Sequence, residues 1–243
     1  MLEVRQVSAG YGDTQVLWQT SIDVGDREMV ALMGPNGSGK STLMNSISGL
    51  VRVWSGEILF DGVALHVLPA HRRLALGISH VLERHRLFPY MTVVENLQLG
   101  CGPRGTRDQV ERGLDRAYRL FPRLKERRSQ TARLLSGGEQ QMCAIARGLM
   151  NSPKLLLIDE PFIGLSPHLR DEVSHVLRAI NADGVAVVLI EQNVEQALAL
   201  SHRAYVLREG IVALTGESQQ LKASTAVQDV FLGRNHMAAV CAG

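Results

Sequence analysis

The chain has 243 residues, with 26 basic and 24 acidic side chains and a formal net charge of +2. That length allows one large domain or a core with a subdomain, and the near-balanced charge argues against nucleic acid or another polyanion as partner. Three widely spaced cysteines (Cys101, Cys143, Cys241) with no C-x-x-C pattern speak against a disulfide or zinc framework. No apolar run approaches the roughly 18 residues of a membrane span, and Met1–Arg5 alternates like a strand, not like a signal peptide. The expectation is a soluble chain whose membrane role, if it has one, comes through a partner.

In chain order, residues 2–8 and 15–24 read as strands joined by the turn-rich Ala9-Gly10-Tyr11-Gly12-Asp13, where composition alone makes Tyr11 a surface turn residue. Met29–Met33 is an unbroken apolar run, the mark of a buried strand. It leads into Gly34-Pro35-Asn36-Gly37-Ser38-Gly39-Lys40-Ser41-Thr42 and then a helix over 41–50 that stops near Gly49. Residues 56–62 and 77–82 read as strands, 69–75 as a helix, and 91–151 as mostly helical, with Val110, Leu114, Ala117 and Phe121 at helical spacing. From Arg104 to Arg133 there are ten basic residues against four acidic ones. A solvated helical face is the first reading of that bias, and a surface near anionic head groups the second. Leu155–Ile158 and Val185–Ile190 are apolar runs typical of central parallel strands, joined by a crossover helix over 168–181. Residues 204–207 and 211–214 flank Arg208-Glu209-Gly210, a hairpin signal, and the tail from Arg234 carries no pattern and is expected to be loose.

Three stretches carry chemistry. Gly34–Thr42 fits G-x-x-x-x-G-K-[ST] between a strand and a helix. Gly34, Gly37 and Gly39 let the backbone curl until its N–H groups face a phosphate at a helix N-terminus, and Asn36, Ser38 and Thr42 are further nucleotide-binding positions of the loop. Lys40 adds a point charge for the β- and γ-phosphates, and Ser41 a hydroxyl for Mg²⁺. Asp159-Glu160 ends a buried strand, where ligands bind in α/β sheets. Asp159 is the expected Mg²⁺ ligand and Glu160 the group that orients or deprotonates the attacking water. In Leu134-Leu135-Ser136-Gly137-Gly138-Glu139-Gln140-Gln141, Ser136 with Glu139 is a capping box. A cap does not need two bare glycines after the serine, however, and Ser136, Gly137 and Gly138 leave a helix N-terminus able to receive an anion.

Together these stretches resemble the ATP-binding subunit of an ABC transporter, over about Leu2 to Gly233. The resemblance implies an α/β P-loop NTPase: a RecA-like core with an antiparallel β subdomain (1–85 and 154–233) and a helical subdomain (86–153), in one ATPase domain spanning 1–243. It implies two such subunits head to tail, with each ATP between one P-loop and the partner's Ser136-Gly137-Gly138 surface. It also implies that Tyr11 stacks on adenine, against its reading as a mere turn residue. Leu87-Phe88-Pro89, Thr92–Leu97, Leu134–Met150 and Glu191–Ala197 are similar to importers of branched-chain and other hydrophobic amino acids. In that subgroup Glu83 stands where most relatives have a glutamine that ligates Mg²⁺, and Gln192 where most have the switch histidine. Gln192 can donate an amide hydrogen bond to the γ-phosphate but never becomes cationic, so a weak pH dependence is expected of it. Leu82, Arg84 and Ser166 depart from the subgroup pattern. The implied partners are transmembrane permeases, a second ABC ATPase (a heterodimer before a homodimer) and, indirectly, a substrate-binding protein, at the cytoplasmic face of the inner membrane. A urea or amide importer, or a soluble ABC ATPase outside transport, are the other readings.

Overall fold

The computed structural model describes residues 1–83, 87–102 and 105–231. Arg84, Arg104, Cys241 and the tail from Arg234 lie outside the described residues. The chain opens with β1 (Leu2–Tyr11), β2 (Thr14–Val24), β3 (Met29–Met33), α1 (Lys40–Ser48), β4 (Val53–Phe60), β5 (Val63–Ala64), α2 (Ala70–Ala75) and β6 (Ile78–Val81). Then come α3 (Val93–Leu99), α4 (Arg107–Leu120), α5 (Pro122–Glu126), a 3₁₀ turn at Ala132–Leu134, and α6 (Gly137–Leu149). The described chain closes with β7 (Leu155–Asp159), α7 (Pro167–Ala182), β8 (Ala186–Ile190), α8 (Val194–Leu200), β9 (Arg203–Arg208), β10 (Ile211–Glu217), α9 (Ser218–Lys222) and α10 (Ala226–Phe231). Two compact units result: Met1–Ala70 with the chain from Val188, and His71–Val187.

In the first unit, β2-β1-β4-β5 form an antiparallel sheet. The turn expected over Ala9–Asp13 is shorter than its composition suggests, because β1 runs on through Tyr11, with Gly10 opposite Gln15 and Tyr11 opposite Thr14. A Cβ on Gly10 would overlap the Thr14 carbonyl oxygen. That glycine therefore serves close strand approach, not a turn. The strand expected at 56–62 starts earlier, at Val53, and ends at Phe60, since Asp61 and Gly62 (φ 49° and 79°) make the tight turn into β5.

The strand β3 is buried along its whole length and pairs in parallel with β9, Val30 opposite Arg203 and Met33 opposite Val206. The Glu191 N–H, just after β8, donates to the Leu32 carbonyl (3.3 Å). The predicted hairpin is β9–β10, with both Glu209 and Gly210 at positive φ (51° and 79°). Ala31, Met33, Ala204 and Val206 form a core with Ala197, Leu198, Leu221 and Val227 of α8, α9 and α10. Those helices have seven, five and six residues. Each is too short to show a helical period, and none was expected from the sequence.

An ionic cluster ties the ends of these strands. Arg203 donates from Nε to Glu28 (2.6 Å) and from Nη2 to Asp23 (2.7 Å), and the Tyr205 hydroxyl donates to Asp23 (2.8 Å). Burial alone pushes the Asp23 and Glu28 carboxyls up, but the Arg203 hydrogen bonds, with Tyr205 on Asp23 and the Gly25 N–H on Glu28, outweigh it and hold both below their ordinary values.

In the second unit β6 pairs in parallel with β7, Ile78 opposite Leu155 and Val81 opposite Ile158. The helix α6 lies on these strands: a Cβ on Gly148 would sit 2.8 Å from Val81 and 3.3 Å from Leu156. Along α4 the predicted stripe is realised at Ala117, which is buried, and half-realised at Val110 and Leu114. Phe121 is buried but lies beyond the helix, at its C-cap with φ −132°. Pro122 disfavours helical backbone in the residue before it, which ends α4 there. The expected helical stretch 91–151 is interrupted accordingly, with Thr92 and Thr106 each opening a new helix through a capping box.

Candidate functional site

At the end of β3, Gly34, Gly37 and Gly39 all take positive φ (141°, 79° and 100°). A side chain at any of the three resists that backbone, so the glycine pattern is explained by the curl it allows. Gly39 is the N-cap of α1 and makes no side-chain cap, so no side chain accepts from the helix's first free N–H groups through its cap residue. Lys40 is buried (6% exposed), and its ammonium donates to the Gly34 and Pro35 carbonyls (2.8 and 3.0 Å), folding across the loop. Nothing lies within 4 Å of a Cβ built on Gly37. The Ser38 hydroxyl is buried (2% exposed) and has no hydrogen-bond partner among the described residues. A buried hydroxyl left unmatched costs free energy, and a phosphate oxygen in this cradle satisfies it. The loop thus fits the triphosphate that the sequence predicted. Thr42 is buried inside α1, while Ser41 and Asn36 are exposed.

Tyr11 is exposed (51%), and its hydroxyl accepts from Asn45 of α1 (3.3 Å). The sequence reading missed Asn45. Gln192 is exposed on the loop after β8. Its N–H and that of Asn193 both donate to the Glu191 carboxylate (3.0 and 3.2 Å), which is itself buried. Glu191, which entered the sequence reading only through resemblance, therefore shapes the loop that presents Gln192. Asn193 caps α8 through the Gln196 N–H.

In the second unit, Asp159 is buried at the end of β7 and Glu160 follows in left-handed backbone, φ 48°. A non-glycine residue there, ahead of Pro161, holds about 1–3 kcal/mol of strain, which the surrounding fold must sustain to present its side chain. Ser136 caps α6 as predicted: its hydroxyl accepts from the Glu139 N–H (3.3 Å), and the Glu139 carboxylate accepts from the Ser136 N–H (2.9 Å). Glu139 also pairs with Arg127 at 2.8 Å. The two glycines differ. Gly137 faces open space, whereas a Cβ on Gly138 would meet Leu169 of α7 at 2.5 Å, so the bareness of Gly138 has a packing cause. Glu83 is half-buried just after β6. Beyond it, Asn96 is fully buried and staples the approach to α3, with Nδ2 donating to the Phe88, Met91 and Thr92 carbonyls and Oδ1 accepting from the Phe88 N–H. Met91, Glu95, Gln98, Leu99 and Gly102 line a groove of about 380 Å³. Among the described residues, no three His, Cys, Asp or Glu side chains could hold a metal by themselves.

The family described as ABC transporter matches residues 17–163. Over 96% of its length, the chain is 42% identical to the whole of the "High-affinity branched-chain amino acid transport ATP-binding protein BraG" of Pseudomonas aeruginosa. It is 36% identical, over 91% of its length and 94% of the relative's, to the "Probable branched-chain amino acid transport ATP-binding protein LivF" of Archaeoglobus fulgidus. Among solved structures it is similar to a dimeric ATP-binding cassette in a post-hydrolysis state bound to ADP and Pi. The TM-score there is 0.79 at 26% identity, covering 90% of this chain and 99% of that one. The P-loop cradle, the strand-end carboxylates and the capped glycine terminus thus sit in a recognised frame: the chain belongs to the ABC transporter family, as one of its ATP-hydrolysing subunits.

Proposed function

We propose that this chain energises an importer of branched-chain or other hydrophobic amino acids, on the cytoplasmic face of the inner membrane. The observation that carries the reading is its end-to-end match to the Pseudomonas aeruginosa relative, 42% identical over all of that protein. Among the described residues no helix is long and apolar enough to cross a membrane. The groove lined by Met91, Glu95, Gln98, Leu99 and Gly102 is the surface we assign to a permease segment.

The residues take the following roles in this reading. Tyr11 stacks on adenine. Gly34, Asn36, Gly37, Ser38, Gly39, Lys40 and Thr42 bind the phosphates. Ser41, Asp159 and Glu83 would hold Mg²⁺, which would supply charge neutralisation at the phosphates. Glu160 takes the proton of the attacking water, and Gln192 donates its amide to the γ-phosphate. Ser136, Gly137 and Gly138 close on the ATP of a second ATPase subunit, a related chain before a second copy of this one. The dimeric relative supports such pairing.

The test is to extract the tagged chain from its native membranes in mild detergent and identify its companions by mass spectrometry. Two hydrophobic permeases and a second ATPase, with amino-acid-stimulated ATPase activity in the reconstituted complex, establish the reading. Stimulation by urea or amides alone replaces the cargo. A chain recovered with ribosomes or DNA and no permease overturns transport altogether.

A further inference from the structure

The turn between β9 and β10 touches the phosphate loop at a point that the family motifs do not include. The Gly210 N–H donates to the Ser38 carbonyl (3.0 Å). The Gly210 carbonyl accepts twice, from the Trp18 N–H (2.9 Å) and from the hydroxyl of Thr20 (2.5 Å). Thr20 is a polar side chain on β2 with 1% exposure, and that one bond is where its hydroxyl goes. Gly210 has φ 79°, and a Cβ on it would overlap the Val16 carbonyl oxygen and sit 2.9 Å from Trp18. On the loop side, a Cβ on Gly34 would overlap the Leu207 carbonyl oxygen of β9, and one on Gly39 would lie 2.8 Å from Leu17. Three segments distant in sequence therefore meet at bare backbone, and Gly210 hydrogen-bonds to two of them.

The Ser38–Gly39 peptide is planar, so its carbonyl and its N–H point in opposite directions. Holding the Ser38 carbonyl on Gly210 turns the Gly39 N–H away from the hairpin. Without that anchor the peptide is free to flip, and a flipped peptide presents a carbonyl oxygen to an anion.

We propose that Thr20 and Gly210 form a positioning brace that sets the Ser38–Gly39 peptide for phosphate binding, with Thr20 acting on the loop through Gly210. The brace rests on the reading of Gly34–Thr42 as the nucleotide loop. It predicts an effect that depends on phosphate count. Thr20→Val keeps the β-branched shape and removes the donor. In the full chain, Thr20→Val weakens ADP and ATP about five- to tenfold, the worth of one or two modest hydrogen bonds, and leaves AMP binding unchanged.

The experiment measures dissociation constants for ATP, ADP and AMP by competition against a fluorescent ATP analogue, on wild type, Thr20→Val and Thr20→Ser. Thermal unfolding is recorded alongside. Support is a selective loss for ADP and ATP in Thr20→Val, with recovery in Thr20→Ser, which restores the hydroxyl. Equal affinities in wild type and Thr20→Val overturn the brace, and so does a loss of the same factor for AMP, which marks Thr20 as a packing residue only. A wild-type chain that does not bind ATP overturns the nucleotide reading itself, a result distinct from either. If Thr20→Val does not fold, Thr20→Cys, of similar volume with a weak donor, gives the same comparison with the same deciding outcomes.

Discussion

Two glycine-rich helix N-termini in this molecule resolve one electrostatic problem in opposite ways. The first turn of any helix leaves N–H groups without partners. At α1 the cap residue is Gly39, no side-chain cap forms, and the neighbouring Ser38 hydroxyl is buried without a partner among the described residues. At α6, Ser136 and Glu139 satisfy each other through a reciprocal box, and Gly137 faces open space beside the exposed Ser136. The first terminus is incomplete without an anion. The second has two of its N–H groups, those of Ser136 and Glu139, satisfied by its own side chains, and so leans less on an anion. That difference suits a resident nucleotide at α1 and an intermittent contact at α6.

The largest effect that separates the two comes from the lysine. Lys40→Ala removes the ammonium that bonds to the loop carbonyls of Gly34 and Pro35. Hydrolysis is expected to fall by about 10²–10³-fold, with ATP affinity falling too, since the charge acts on ground and transition states alike. Glu160→Gln is expected to lower turnover by a similar factor, about 10²–10⁴, while ATP affinity stays within about twofold. Steady-state kinetics with equilibrium binding separate the two. If Glu160→Gln retains wild-type turnover, Glu160 is not the base, and the strain at its backbone has another cause.

The unit that carries α1 depends on the Arg203 cluster. Arg203→Met leaves Glu28 and Asp23 without their cation, at an expected cost of about 2 kcal/mol, less than a fully buried pair because Asp23 is well exposed. The sign with pH follows from the depressed carboxyls. Their contribution is fully present above their ordinary values of 3.8 and 4.5 and is lost as pH falls through the lower folded values. Denaturant midpoints of wild type should therefore drop with acid over that window more steeply than those of Arg203→Met. Parallel curves count against the cluster as a source of acid sensitivity.

Most of this contrast was legible in the residue pattern. Gly34–Thr42 announces itself because glycine, lysine and serine at that spacing have few other uses, and Asp159-Glu160 because a buried strand ends on them. The Ser136–Glu139 box was also readable, being local in sequence. What escaped was long-range or too short to be periodic. Glu191 acts through two backbone N–H groups, Asn96 through three carbonyls, and α8–α10 are defined by the sheet they cover. The extent of β1 was misread for a related reason. Gly10 looks like a turn residue until Thr14 is seen pressed against it, and only the folded chain brings Thr14 there.

Two serines sharpen the contrast by changing sign. Ser136→Ala removes a working cap and should cost about 1 kcal/mol of stability, leaving ATP affinity of the isolated chain intact. Ser38→Ala removes a buried hydroxyl with no bond to lose, so the nucleotide-free chain should be unchanged or more stable by up to about 1 kcal/mol, while ATP binds more weakly. Unfolding curves with and without ATP decide this. A destabilised nucleotide-free Ser38→Ala chain removes the argument that the cradle is built for an absent oxygen.

The smallest effect is the most discriminating. Gly137 and Gly138 are adjacent, helical and equally unfavourable as helix formers, at about 1 kcal/mol relative to alanine in an interior position and less at a terminus. A Cβ on Gly137 meets nothing within 4 Å, so Gly137→Ala should stabilise the isolated chain by a few tenths of a kcal/mol. At Gly138 the added methyl must displace Leu169 from 2.5 Å, which offsets that gain, and the net change should be near zero or mildly destabilising. If Gly137 is bare because a second subunit's nucleotide approaches it, the more stable variant is the one that loses hydrolysis in the assembled transporter. A Gly137→Ala chain that gains stability and keeps full turnover leaves the open glycine with no use, and the α6 terminus reverts to a cap alone.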